Sequence, residues 1–360
     1  MDNNDTNDLT VSLCEQVLEA YESGEALQFF GTQSKAFLGR EAVGRPVDLS
    51  AHRGIVQYTP SELVITARAG TPITELKEVL RVNKQALAFD PPCFGEKGTV
   101  GGMVASGLSG PGRPWSGAVR DAVLGIRCVN GRGELLRFGG QVMKNVAGYD
   151  VSRLQAGAMG TLCLLLDVSL KLVPIAESQI TLTRSCNTQK SIEIMKNLGR
   201  KSLPLSGLSH HEGLLRIRLS GNAAAVEAAT KAIHYDEMVT DDGWWSALRD
   251  HKLPLFNIKG DLWRISTSTG ASLNPVLGEN QLIDWGGAQR WFTSNRPAEE
   301  VRTALSREEG SCTLVRARDG SHVDAPFAPL SSIVEGLHKR LKKAFDPRGI
   351  LNPGRMYAGF

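Results

Sequence analysis

No two cysteines in this 360-residue chain are spaced C-x-x-C; Cys14, Cys93, Cys128, Cys163, Cys186 and Cys312 lie far apart. Zinc ribbons and iron–sulfur clusters need clustered thiolates, so the chain supplies neither by itself. A disulfide framework is disfavoured at this length without a secretory leader. The first residues, M-D-N-N-D-T-N-D, are polar and acidic instead of basic then apolar. A strong charge of one sign is also missing. The net charge of +3 gives no electrostatic footing for nucleic acid or anionic lipid as the main partner. The longest apolar run, around residues 162–166, is interrupted by Asp167 and Lys171, and nothing is long enough to span a bilayer. These absences set the expectation of a cytoplasmic protein. The Walker A pattern G-x-x-x-x-G-K-[ST] is absent too. The nearest approach to a dinucleotide fingerprint, Gly107 to Gly112, has Pro111 where the helix should begin, which removes a Rossmann site.

What the chain does have is glycine in one dense tract, G-E-K-G-T-V-G-G-M-V-A-S-G-L-S-G-P-G-R-P-W over residues 95–115. Each glycine costs a helix or strand roughly 0.5–1 kcal/mol relative to alanine, so the tract reads as neither. The interleaved Val100, Met103 and Val104 argue for a buried, ordered segment. Such backbone can approach a large ligand and offer it N–H groups, for which phosphates are the usual acceptors.

Around the tract the pattern is of mixed α and β elements. Helical spacing runs over residues 11–21 and 71–82, the second opened by Thr71-Pro72. Strands are expected at residues 26–30, 63–67 and 162–173, and a hairpin at 123–136 turns on Asn130-Gly131-Arg132-Gly133. After Pro174 the texture changes, with helices at 190–198 and 223–233 among strands at 214–219 and 262–266. A basic amphipathic helix over residues 333–345 precedes the turn Leu351-Asn352-Pro353-Gly354, and its cations, Lys339, Arg340, Lys342 and Lys343, read as a solvated face.

A flavin site assembled from separate loops accounts for both the tract and the earlier Gly31-Thr32-Gln33-Ser34-Lys35 loop. Here the residues become recognisable. The G-T-Q-S-K loop, D-P-P-C-F-G-E-K-G-T-V-G-G, V-R-D-A-V-L-G, K-N-V-A-G-Y-D, G-A-M-G-T-L and F-D-P-R-G-I-L-N-P-G-R resemble the FAD-binding fold of the vanillyl-alcohol oxidase/p-cresol methylhydroxylase (PCMH) family. More narrowly, G-L-S-G-P-G-R-P-W-S-G, V-M-K-N-V-A-G-Y-D-V-S-R-L, L-W-R-I-S and I-D-W-G-G-A-Q-R-W look like the smaller FAD-binding subunits of bacterial glycolate oxidase. The resemblance implies an α+β fold: a PCMH-type FAD-binding domain of two α/β subdomains over residues 1–175, a mixed α/β cap over 176–330, and a C-terminal helix and turn over 331–360 returning to the first domain.

Position by position, the resemblance places the pyrophosphate on the backbone of Gly31, Thr32, Gln33, Ser34 and Lys35. Gly98, Thr99, Gly101 and Gly102 would run beside the pyrophosphate and flavin, with Ser106 and Gly107 by the ribityl chain. Arg120 and Asp121 would introduce a strand beneath the ring. Lys144 and Asn145 would hydrogen-bond the cofactor, and Gly157, Gly160, Thr161 and Leu162 would meet the adenine end. Many relatives attach the flavin through His or Cys in the first loop or the tract. The first loop has neither and Cys93 lies outside G-T-V-G-G, so the expectation is non-covalent FAD.

Oxidising a 2-hydroxy acid calls for a cation on the carboxylate and a base on the hydroxyl. Arg264 and Arg290 are the catalytic candidates, since a guanidinium fork matches a carboxylate; Trp263, Trp285 and Trp291 would wall them. His210 and His211, adjacent on a strand, would face opposite ways and make no metal pair. The H-x-G-D-G-N-x-H signature of the larger flavin subunit and its D-lactate dehydrogenase relatives is absent, and His322 is only a faint echo. The resemblance therefore implies one member of an assembly with a larger flavin subunit and an iron–sulfur subunit, peripheral at the inner membrane through that complex, acting on glycolate, with D-lactate as a further substrate. A self-sufficient 2-hydroxy-acid dehydrogenase and a non-catalytic stabilising subunit remain alternatives.

Overall fold

A computed structural model describes residues 7–95, 97–140, 149–240, 243–257, 259–271, 278, 281–305, 310–321 and 323–360. The chain divides into two units. The first comprises residues 1–108, 118–174 and 329–360, and the second residues 109–117 and 175–328.

In the first unit, Leu13, Val17 and Ala20 form the buried stripe of α1 (Thr10–Ser23), which Gly24 ends at φ +75°. β1 (Leu27–Phe30) and β2 (Arg45–Asp48) pair in parallel. The larger sheet is antiparallel and contains β3 (Ile55–Thr59), β4 (Val64–Arg68), β5 (Gln85–Leu87), β6 (Val123–Val129), β7 (Leu135–Gly139) and β8 (Leu164–Pro174). Its order is β3-β4-β8-β6-β7, with β5 also on β8. β8 is central and buried over most of its length, as expected of a strand covered on both faces. The apolar face of this sheet, with Ile65, Ala67, Ile126, Cys128, Leu166 and Val168, packs against α2 (Ile73–Val82) through Ile73, Leu76 and Leu80. Val100, Met103 and Val104 of α3 (Val100–Ser106) join the same core.

The helix α3 departs from the sequence expectation, because it lies inside the glycine tract. A Cβ at Gly101 would sit 2.8 Å from the Ala69 Cβ and 3.1 Å from its carbonyl oxygen. The glycine is there for close packing of helix on strand, and the buried apolar residues around it offset its weak helix propensity.

The second unit is built on one eight-stranded antiparallel sheet. Its strands are β9 (Ser178–Ser185), β10 (Leu205–His211), β11 (Leu214–Gly221), β12 (Glu237–Val239), β13 (Asp261–Thr267), β14 (Leu282–Asp284), β15 (Gln289–Ser294) and β16 (Gly310–Arg316), in the order β12-β9-β11-β10-β14-β15-β13-β16. On one face α7 (Thr188–Leu198) and α8 (Ala223–Ala232) pack against Leu182, Leu208, Leu215 and Ile217. α10 (Ala298–Leu305) covers Trp263, Ile265 and Phe292 through Val301 and Leu305. The short α4 (Arg113–Ser116) also belongs here: the Trp285 indole N–H donates to the Gly110 carbonyl at 3.0 Å, and the Arg113 guanidinium lies 4.7 Å from that ring. Residues 109–117 thus join the second unit, although they precede residue 175 in the chain. α5 (Val119–Ala122), α6 (Val151–Leu154), α9 (Trp244–Arg249) and α11 (Ser332–Phe345) complete the helices named here.

Candidate functional site

The first loop and the glycine tract meet. The Thr32 hydroxyl donates to the Lys97 carbonyl, and a Cβ on Gly31 would lie 2.9 Å from the Thr99 hydroxyl. Lys35 Nζ lies 5.7 Å from the Phe94 ring centroid, and a Cβ on Gly98 would be 3.5 Å from that nitrogen. Gln33 is left-handed, at φ +56°. Among the described residues the N–H groups of Thr32, Gln33 and Ser34 donate to no protein acceptor. Successive N–H groups around a left-handed residue suit an anion.

The tract itself behaves differently from expectation. Val100 N–H donates to Thr71 O at 2.9 Å, Gly101 N–H to Ala69 O at 2.7 Å, and Gly102 N–H to the Thr99 hydroxyl that caps α3 at 3.2 Å. These donors are committed inside the protein. Helix capping and the fixing of α3 on β4 consume them, whereas the N–H groups of the first loop have no protein acceptor among the described residues.

The third segment, residues 157–162, docks on the end of α3. Gly157 N–H donates to Val104 O at 3.0 Å and Met159 N–H to Ala105 O at 2.8 Å, satisfying carbonyls the helix end leaves open. A Cβ at Gly107 would come within 2.9 Å of the Gly157 Cα, so these two glycines let the backbones touch. Ser106 turns its hydroxyl back to Met103 O at 3.2 Å. Thr161 and Leu162 are buried, and the Thr161 hydroxyl donates to Ala158 O at 2.7 Å.

The C-terminal turn holds these pieces. Asn352, buried and left-handed at φ +40°, accepts from Phe29 N–H and donates to Met159 O, each at 2.7 Å. Lys342 is buried as well, correcting its expected solvated face. Its ammonium donates to Thr161 O at 2.8 Å and Leu351 O at 2.7 Å and pairs with Asp346 at 2.7 Å. Burial pulls the lysine below its ordinary pKa, and the Asp346 carboxylate opposes that pull. Asp346 also accepts from the N–H groups of Ile350 and Leu351. Sequence reasoning missed Lys342 and gave Asn352 no partner. The one available signal was the i, i+4 spacing of Lys342 and Asp346.

Arg120 and Asp121 are exposed; Asp121 accepts from Ala118 N–H at 3.0 Å and so caps α5 ahead of β6. Lys144, Asn145 and His322 lie outside the described residues.

Arg264 and Arg290 do not form one site. In the register of β13 and β15, Arg264 stands opposite Trp291 and Arg290 opposite Ile265, so the two arginines point to opposite faces of the sheet. Arg290 is buried on the face carrying Ile265 and Phe292 and donates to Ala271 O. Arg264 is half-buried on the other face, where burial, followed by the charge of Arg113, brings its pKa to about 10. The expected tryptophan wall is divided likewise, with Trp291 on the Arg264 face and Trp263 on the other. His251 stacks on Phe256 at 4.4 Å and meets Trp291 edge-on at 4.7 Å. Burial first, then the charges of Arg264 and Arg316, lower its pKa to about 3, so it is a neutral imidazole at physiological pH. His210 and His211 do face opposite ways; His210 Nε2 donates to Cys186 O at 2.9 Å.

Comparison with known proteins decides the family. Over 351 residues the chain is 44% identical to glycolate oxidase subunit GlcE of Escherichia coli (strain K12), covering 98% of each chain. The chain belongs to the GlcE family of glycolate oxidase subunits. An FAD binding domain model matches residues 12–139, so the nucleotide the first unit takes is FAD. Glycolate oxidase subunit GlcD of Bacillus subtilis (strain 168) is 23% identical over 84% of this chain and 77% of its own length. A D-lactate dehydrogenase of Anaerostipes hadrus is 32% identical over 39% of this chain and 29% of its own. Among solved structures, alkyldihydroxyacetonephosphate synthase aligns with a TM-score of 0.69 at 14% identity, over 94% of this chain and 73% of that one, a likeness of fold. The expected PCMH-type fold with a second mixed α/β unit is the fold found. No helix among the described residues is long and apolar enough to cross a membrane.

The residues present fit FAD. Three consecutive N–H donors and Lys35 would suit its diphosphate, and the glycines let the three segments approach one another closely.

Proposed function

We propose that this chain is the FAD-bearing smaller subunit of a complex that oxidises glycolate to its 2-oxo acid. FAD is held non-covalently: the first loop offers no His or Cys, and Cys93 is buried with its thiol toward Pro91 O. FAD supplies acceptance of two electrons together and their release singly. In this reading the electrons leave for an iron–sulfur subunit, with a larger flavin subunit as the second partner, and D-lactate is an alternative substrate. The observation that carries the reading is the convergence of the first loop, with its N–H groups at Thr32, Gln33 and Ser34, on the tract at Lys97 and Thr99.

We assign glycolate oxidation to the larger subunit's flavin, since this chain lacks H-x-G-D-G-N-x-H. Arg264 favours a second reading. It is a half-buried guanidinium with no carboxylate paired to it among the described residues, on a face shared with the neutral His251. Such a group would hold a substrate carboxylate and orient the carbon that bears the hydroxyl. The test is the absorbance of FAD on the purified chain before and after anaerobic glycolate. Bound flavin that stays oxidised supports the first reading, and bleaching supports the second. A chain that takes up no FAD sinks both.

A further inference from the structure

We infer that Asn352 is the positioning residue that sets the spacing between the two outer FAD-binding segments, the first loop and residues 157–162; the inference rests on the FAD reading above. β1, which delivers the first loop, pairs with β2, and its residue Leu27 also forms a parallel bridge to Leu351. Residues 157–162 lead into β8, which belongs to the other sheet. Among the described residues no backbone hydrogen bond joins the two segments directly. The Asn352 amide does the joining. Its Oδ1 takes the N–H of Phe29, two residues before Gly31, and its Nδ2 gives to the carbonyl of Met159, the residue before Gly160, each at 2.7 Å. One rigid planar group therefore measures the gap that a ligand lying on both segments must span.

Four further observations fix the amide in that role. Its own N–H donates to Leu27 O at 2.9 Å, so its backbone is tied to the same strand. Gly160 makes room for it, since a Cβ there would lie 2.7 Å from Nδ2. Lys342 holds the far side, bonding Leu351 O and Thr161 O at 2.7 and 2.8 Å, so the residues flanking both hydrogen bonds are held. Asparagine is also among the few side-chain residues that tolerate the left-handed backbone found here at φ +40°. Aspartate would keep the acceptor for Phe29 and lose the donor for Met159; glycine would keep the backbone and lose both.

The experiment is FAD titration of the full chain, stripped of flavin, in wild-type, Asn352→Asp and Asn352→Gly forms. Melting temperature is read with and without FAD, and amide hydrogen exchange is followed over residues 157–162. The expected result is a dissociation constant at least tenfold higher in both variants, a smaller FAD-induced rise in melting temperature, and faster exchange in that segment. A dissociation constant within twofold of wild type would overturn the inference, even if the variants melt lower without FAD, for the amide would then be only structural. Should neither variant fold, Asn352→Gln, which keeps both polar groups but displaces them by a methylene, takes their place under the same thresholds. If the wild-type chain binds no FAD, the underlying reading fails; if all forms bind alike, this inference alone fails.

Discussion

Arg264 and Arg290 lie on paired antiparallel strands one register step apart, and that single step sends them to opposite faces of the sheet. One is a buried member of a packed face, the other a half-buried cation beside a neutral imidazole. Their substitutions should therefore separate. Arg264→Lys keeps the charge and loses the planar fork, so on the second reading, in which this face holds the substrate carboxylate, glycolate oxidation by the assembled enzyme should fall about 10–100-fold with little change in melting temperature, and on the first it should stay unchanged. Arg290→Met should instead destabilise by about 1–3 kcal/mol through the groups left unbonded, with kcat/KM of the surviving protein unchanged. Steady-state kinetics beside thermal melts on both variants decide it. Equal losses of activity would remove the distinction.

The pair Lys342–Asp346 is buried at both ends. Lys342→Met leaves Asp346 without its counter-charge and strips a donor from Thr161 O, and about 3–5 kcal/mol of stability should go. Lys339 lies three residues away but is exposed with an i, i+4 partner in Glu335, so Lys339→Met should cost under about 0.5 kcal/mol. Urea titration of both variants checks the contrast, and similar midpoints would contradict the buried arrangement.

Glycines that look alike in sequence should respond in opposite directions. Gly101→Ala drives a methyl to 2.8 Å from Ala69 Cβ, and about 1–3 kcal/mol should be lost. At Gly336, within α11, a Cβ would meet nothing within 4 Å, so Gly336→Ala should stabilise by about 0.5–1 kcal/mol. Chemical denaturation of the two variants reads both signs.

Stability should fall as pH drops below neutrality. His251 has its folded pKa lowered from 6.5 to about 3, so between those values the unfolded chain binds the proton that the folded chain refuses. The contribution is complete above pH 6.5 and erodes toward pH 3, by up to about 1.4 kcal/mol per pH unit. Burial lowers His210 and His211 with the same sign. Burial pushes Asp8 up, yet the hydrogen bonds from Thr10, with Arg68 and His52, hold it at about 2, so its share is lost only at lower pH. Urea midpoints at pH 7, 6 and 5 should decline in wild type and decline less in His251→Asn, a residue that accepts the left-handed φ of +54°. Parallel pH profiles would show that His251 is not the group involved.

Much of the first unit was legible because its signals are local. Helix α1 and its glycine stop, the Asn130-Gly131 hairpin and the long buried β8 all follow from spacing and turn chemistry. The glycine tract misled in one respect. Composition forbids a helix there, and the helix forms because Gly101 is pressed on Ala69 by residues distant in sequence. Lys342 read as surface because its partners, Thr161 and Leu351, arrive from other segments; only Asp346 was within view along the helix.

By itself the sequence determined most of the elements of the first unit, α3 excepted, and which cofactor they serve, since periodicity and family motifs are written along the chain. Only the tertiary structure decided which groups meet. It left the N–H groups of Thr32, Gln33 and Ser34 without a protein acceptor and bonded those of Gly101 and Gly102 inside the protein. It set Arg264 and Arg290 on opposite faces, and put Asn352 between Phe29 and Met159. The physical reason is common to all three. A hydrogen bond or a shared sheet face depends on register and on segments that are not neighbours in the chain, and neither is encoded in the local pattern of either segment.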